Sequence, residues 1–93
     1  MQLTKKNRDA ILLSLKEMPQ SEADRIAALN SVGAVTVYKY WKLIRERKPV
    51  EVNNIVLAIA ELALSKKQEQ QKVEKQLSKI TKQLSVDKKR IAA

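Results

Sequence analysis

The residues best equipped for chemistry lie between Ala34 and Lys48. Lys39, Lys42, Arg45, Arg47 and Lys48 stand there against a single acid, Glu46, a local charge of +4. The same stretch holds Val35, Thr36, Tyr38, Tyr40 and Trp41, and so all three aromatic residues of the chain. Ammonium and guanidinium groups at this density suit a polyanion, because they neutralise phosphates while the side chains between them touch what the phosphates flank. Catalytic chemistry is far less well served. The chain has no Cys and no His, which removes thiolate and imidazole metal sites and the commonest general base. It has no Gly-rich phosphate loop and no nucleophile–base pair. Its ten acidic residues show no spacing that suggests paired acid–base work or metal ligation. Asp9, Glu17, Glu22 and Asp24 are expected on helix surfaces and at helix starts. The expectation is a protein that is not an enzyme and uses no cofactor, metal or small-molecule substrate.

Whole-chain properties point the same way. Ninety-three residues with a net charge of +9 and a pI near 10 imply one small domain, with an appendage, and a polyanionic partner. Met1 to Glu61 carries ten basic and seven acidic residues, whereas Leu62 to Ala93 carries nine and three. The second segment is therefore the more basic. One glycine and two prolines in a chain dominated by Ala, Leu, Ile, Lys, Gln and Glu favour an all-α fold. Absent cysteines suit a reducing cytoplasm. No apolar run reaches the ~20 residues of a membrane span, and the opening MQLTKKNRD is too polar for a signal peptide.

Four helices are predicted to position these groups. Leu3 to Met18 has Ile11, Leu12, Leu15 and Met18 on one face, with Thr4 as cap and Pro19 as stop. A second helix starts at Ser21, whose spacing to Asp24 is that of a capping box, and ends at Asn30-Ser31. Val32 is expected to enter the core, and Gly33 to supply the bend. The third helix, Ala34 to Arg47, turns Val37, Tyr40 or Trp41, and Ile44 inward. Its opposite side then carries Val35, Tyr38, Lys39, Lys42 and Arg45. Val50 to Val52 forms a short extended connector. Asn53 caps a fourth helix whose Ile55, Val56, Ile59, Ala60, Leu62 and Ala63 close a bundle. No Pro or Gly follows Asn53, so this helix is expected to continue to about Leu84, with Lys88-Lys89-Arg90 frayed.

Two helices joined by a tight turn need a small residue where they cross, a permissive residue in the turn and apolar residues at fixed offsets. Ala27, Gly33 and the set Ile26, Val32, Val37 and Tyr40 meet that description. Ala23 to Lys42 resembles the helix-turn-helix of the bacterial and phage Cro and repressor family, without insertion or deletion. The similarity extends over residues 3 to 64, including Arg47-Lys48-Pro49 and the Ile55–Leu64 helix. Two departures stand out. Ser31 occupies the turn position usually held by glycine, which implies a left-handed serine. The third helix also lacks the Asn, Gln and Arg that read bases bidentately.

The resemblance implies a small helix-turn-helix bundle, residues 1–64, followed by a basic C-terminal helix, residues 65–93. It implies a DNA-binding transcriptional regulator, a repressor of phage or bacterial type, acting on double-stranded DNA. Val35, Tyr38, Lys39 and Lys42 would face the major groove. Ser21 and Thr36 would hold phosphates near helix N-termini, and Arg45, Arg47 and Lys48 would neutralise the adjacent backbone. Discrimination would then depend partly on DNA shape.

The tail adds a second theme. Val73, Leu77, Ile80 and Leu84 form a heptad seam that Asp87 interrupts and Ile91 resumes, a short coiled coil suited to a homodimer. Lys66, Lys67, Lys72, Lys75, Lys79 and Lys82 would follow the DNA backbone or keep the coiled coil soluble. Competing expectations are a helical assembly or adaptor protein, as in phage packaging or plasmid maintenance, and an RNA or anionic-membrane binder driven by the tail.

Overall fold

The computed structural model describes the backbone of residues 1–92 and the side chains of residues 1–84. Four helices account for its architecture: α1 Lys5–Ser14, α2 Gln20–Leu29, α3 Ala34–Arg45 and α4 Asn54–Ala92. The expected all-α bundle with an extended C-terminal helix is what forms. α1 packs on α4 and α2 on α3, while α4 also touches α2 and α3.

Local signals set several boundaries as expected. Thr4 caps α1 by accepting the Asn7 amide at 3.2 Å, and Asn53 Oδ1 accepts the Val56 amide at 2.9 Å at the start of α4. The connector is extended: Gln2 and Glu51 form an antiparallel bridge, with Leu3 N–H donating to Val50 and Val52 N–H to Met1. This ties the start of the chain to the approach to α4.

Other boundaries differ. α1 ends at Ser14, not Met18, because Leu15 turns extended at φ −119°, ψ 107°. The short loop that follows lets Leu15 and Met18 both enter the core. Pro19 is the N-cap of α2, which begins one residue before Ser21. No side-chain bond caps that helix, so the expected Ser21–Asp24 box does not form.

α2 and α3 end alike. The amide of Val32 donates to Ala27 and that of Ser31 to Ala28; the amide of Lys48 donates to Leu43 and that of Arg47 to Ile44. Both are Schellman closures, and each needs a left-handed residue just past the helix. Those residues are Ser31 at φ 55° and Arg47 at φ 58°. Serine therefore takes the left-handed position, while Gly33 lies at φ −82°, ψ 155° as the N-cap of α3. The Schellman turn at Arg47 also stops α3 two residues earlier than its periodicity suggests.

Ile26, Val37, Val56, Ile44 and Ile59 form the centre of the core. Complete burial of an aliphatic side chain of this size stabilises the fold by about 1.5–3 kcal/mol. Trp41 is buried, whereas Tyr40 only packs on the rim. Between the two residues expected to compete for the inward place, packing selects the indole. Val32 is 37% exposed, so the residue closing the α2 turn lies at the edge of the core and not inside it.

Candidate nucleic-acid interface

The outward face of α3 assembles from residues at three- and four-residue steps. Val35, Tyr38, Lys39, Lys42 and Arg45 are all exposed, opposite the buried Val37, Trp41 and Ile44. The helix period carries both sets, because each turn that sends one residue into the core sends its counterpart out. Val35 is 82% exposed. Among the described residues, Lys39, Lys42 and Arg45 make no ion pair with a carboxylate. Their charge is free to act outward. Thr36 lies half-buried on the flank of this face.

Two further expected positions are more committed. Arg47 leaves the helix, and its Nη1 lies 2.8 Å from Asp9 Oδ1. The pair is electrostatic only, because Asp9 Oδ1 receives no aligned hydrogen bond. Lys48 Nζ lies 3.6 Å from Glu46 Oε2. Arg47 and Lys48 thus sit beside the α3 face with part of their charge already answered.

Ser21 is exposed in the first turn of α2. Neither Pro19 at the head of α2 nor Gly33 at the head of α3 supplies a capping side chain. The Glu22 and Thr36 amides bond back to the Pro19 and Gly33 carbonyls, which leaves the first two amides of each helix to outside acceptors, and helix N-termini favour anions. Glu22, the one acid in the first turn of α2, is paired with Arg25 at 2.8 Å.

The residue that sequence reasoning overlooked is Arg8. Among the described residues it is the one charged side chain that is buried, 6% exposed. Its Nη1 donates to the carbonyls of Leu43 and Ile44, each at 2.9 Å, and its Nη2 to that of Lys48 at 2.7 Å. A guanidinium thus caps the C-terminal end of α3, giving a second donor to the Leu43 and Ile44 carbonyls that the Schellman turn already engages, where the helix dipole favours a cation. A signal existed, since Arg8 falls on the stripe that continues through Ile11 and Leu15 and so had to point inward.

A groove of about 440 Å³ between α1 and α4 is apolar apart from Asn7, Ser14 and Lys67. No three His, Cys, Asp or Glu side chains cluster to hold a metal among the described residues. Among the described residues, no helix is long and apolar enough to cross a membrane. On α4, Val73, Leu77, Ile80 and Leu84 are exposed side by side. α4 runs on to Ala92, past the end expected near Leu84 and through the Lys88-Lys89-Arg90 expected to fray; the expectations for Asp87 and Ile91 fall outside the described side chains. Comparison with protein-family models, curated proteins and solved structures found no match.

Proposed function

We propose that this chain is a cytoplasmic, sequence-specific DNA-binding transcriptional regulator that docks α3 in the major groove as a homodimer. The observation that carries the reading is the outward face of α3. It presents three unanswered cations, a half-exposed tyrosine and a bare valine on a helix whose other side is core. Lys39 and Lys42 reach base edges or flanking phosphates, Val35 meets thymine methyl groups, and Arg45 neutralises backbone. The uncapped heads of α2 and α3, with Ser21 and Thr36, hold phosphates. Arg47 and Lys48 add charge beside the groove. Occupying a promoter or operator in this way would exclude polymerase, which is the action of a repressor.

Selection of bound sequences from a random duplex pool tests the reading. A consensus is expected, with affinity falling steeply as salt rises. Recovery of unenriched sequence, or binding that the α3 substitutions leave unchanged, would sink it.

A second reading is a helical assembly or adaptor protein that uses its tail to oligomerise. The exposed apolar stripe of α4 favours it. Self-association without any affinity for duplex would support that alternative.

A further inference from the structure

The exposed stripe on the tail repeats the buried stripe at the other end of the same helix. Ile55, Ile59 and Leu62 are buried at 8%, 0% and 5% exposure, while Val73, Leu77 and Ile80 are 54–61% exposed. Each exposed residue lies 18 positions after its buried counterpart, which is five full turns at about 3.6 residues per turn. The two stripes therefore point in the same direction, about 27 Å apart along one helix. Upstream, α1, α2 and α3 cover that face. Downstream, among the described residues, nothing covers it, and Leu84 extends it with 63% exposure.

We infer that a second copy of this chain covers the tail stripe, and that it does so antiparallel. The inference rests on the homodimer in the proposed function and specifies its geometry.

Two observations exclude the parallel arrangement. The first is steric. A parallel partner aligned on the tail would bring its own Ile55–Leu62 face toward the space that α1, α2 and α3 already fill. The second is electrostatic. In the heptad register set by Val73, Leu77, Ile80 and Leu84, parallel pairing puts Glu69 against the second copy's Glu74. It also places Lys66 against Lys66 on the seam itself.

Reversing the partner removes both conflicts. Val73 then lies opposite the second copy's Leu84, and Leu77 opposite its Ile80. Within residues 73–84 the flanking pairs become Gln76 with Gln83 and Glu74 with Thr81, neither of which joins like charges. Lys72, Lys75, Lys79 and Lys82 follow one another at three- and four-residue steps on the far side of the helix, pointing away from the seam. The two bundles then lie at opposite ends of the shared segment.

The chain has no native cysteine, so single substitutions report pairing without background. Full-length V73C and L84C are oxidised separately and as an equimolar mixture, each with and without duplex DNA. Non-reducing electrophoresis and mass spectrometry then identify the linked species. Antiparallel pairing predicts that the mixture forms the V73C–L84C heterodisulfide, with each variant alone giving about tenfold less homodisulfide, because bonding needs Cβ atoms within about 4.5 Å. Efficient homodisulfides in the separate samples would show a parallel pair and overturn the inference while leaving a homodimer intact. No disulfide in any sample would show that a second copy does not cover the stripe, and would overturn the inference. The proteins in that case remain testable for duplex binding, so the DNA reading stands or falls separately. Both substituted positions are exposed and outside the core, and unchanged Trp41 fluorescence verifies that the bundle is folded.

Discussion

Arg8 and Ile44, 36 residues apart, are joined by a 2.9 Å hydrogen bond from the guanidinium Nη1 to the carbonyl. With the bonds to Leu43 and Lys48 it fastens the last turn of α3 to α1. The face that would meet DNA is thus held at its C-terminal end by a buried cation from another helix.

Replacing Arg8 should accordingly cost far more than a surface substitution. Arg8→Ala strips charge-assisted donors from three carbonyls, and a loss of about 2–4 kcal/mol is expected. Arg8→Lys should recover only part of it, since an ammonium cannot span the same three acceptors. Urea unfolding followed by the fluorescence of Trp41, the sole and buried tryptophan, gives both values.

The turns offer a less intuitive test. Ser31→Gly should stabilise the protein by about 0.5–1 kcal/mol, because it relieves a left-handed residue at a Schellman position. Gly33→Ala should also be tolerated, or stabilise by about 0.4–1 kcal/mol. The backbone of Gly33 is extended, and a methyl group there would meet nothing within 4 Å. Thermal melts of the two variants decide it; a strongly destabilised G33A would contradict the assigned turn.

Duplex binding should divide by residue type. The double substitution Lys39→Ala with Lys42→Ala is expected to weaken affinity and lower the salt slope by about 2. Val35→Ala should leave that slope unchanged and alter the preferred sequence. Titrations at several salt concentrations separate the two effects. With antiparallel pairing, the Ile59 positions of the two copies lie about 60 Å apart. Half-sites in selected DNA should then be separated by about two duplex turns and not one.

Ile59 and Leu77 share one helix face but should respond oppositely to truncation. Ile59→Ala empties a fully buried position and should cost about 2–5 kcal/mol. Leu77→Ala, at 61% exposure, should change bundle stability by no more than about 0.5 kcal/mol while weakening self-association. Sedimentation and unfolding measured on each variant test the division. Tail deletions should begin at Ser65, because Leu62 and Ala63 are buried in the bundle.

Much of this organisation was written locally in the chain. The Thr4 and Asn53 caps act over three residues, and the outward set of α3 follows from a period of 3.6, so both were legible from the residues themselves. The left-handed serine was legible too, once Ser31 was matched to a turn position that favours glycine. What the tertiary structure alone decided depends on partners distant in sequence. The carbonyls that Arg8 satisfies lie 35 to 40 residues away. The choice of Trp41 over Tyr40 for the core, and the edge position of Val32, follow from where α4 and α2 lie, which no spacing within α3 encodes. The tail is the converse case. Its apolar spacing and its continuity with the fourth helix were both expected from the sequence; the structure shows that the upstream end of the same face is core and the downstream end exposed, a direction that a continuous helix carries over five turns.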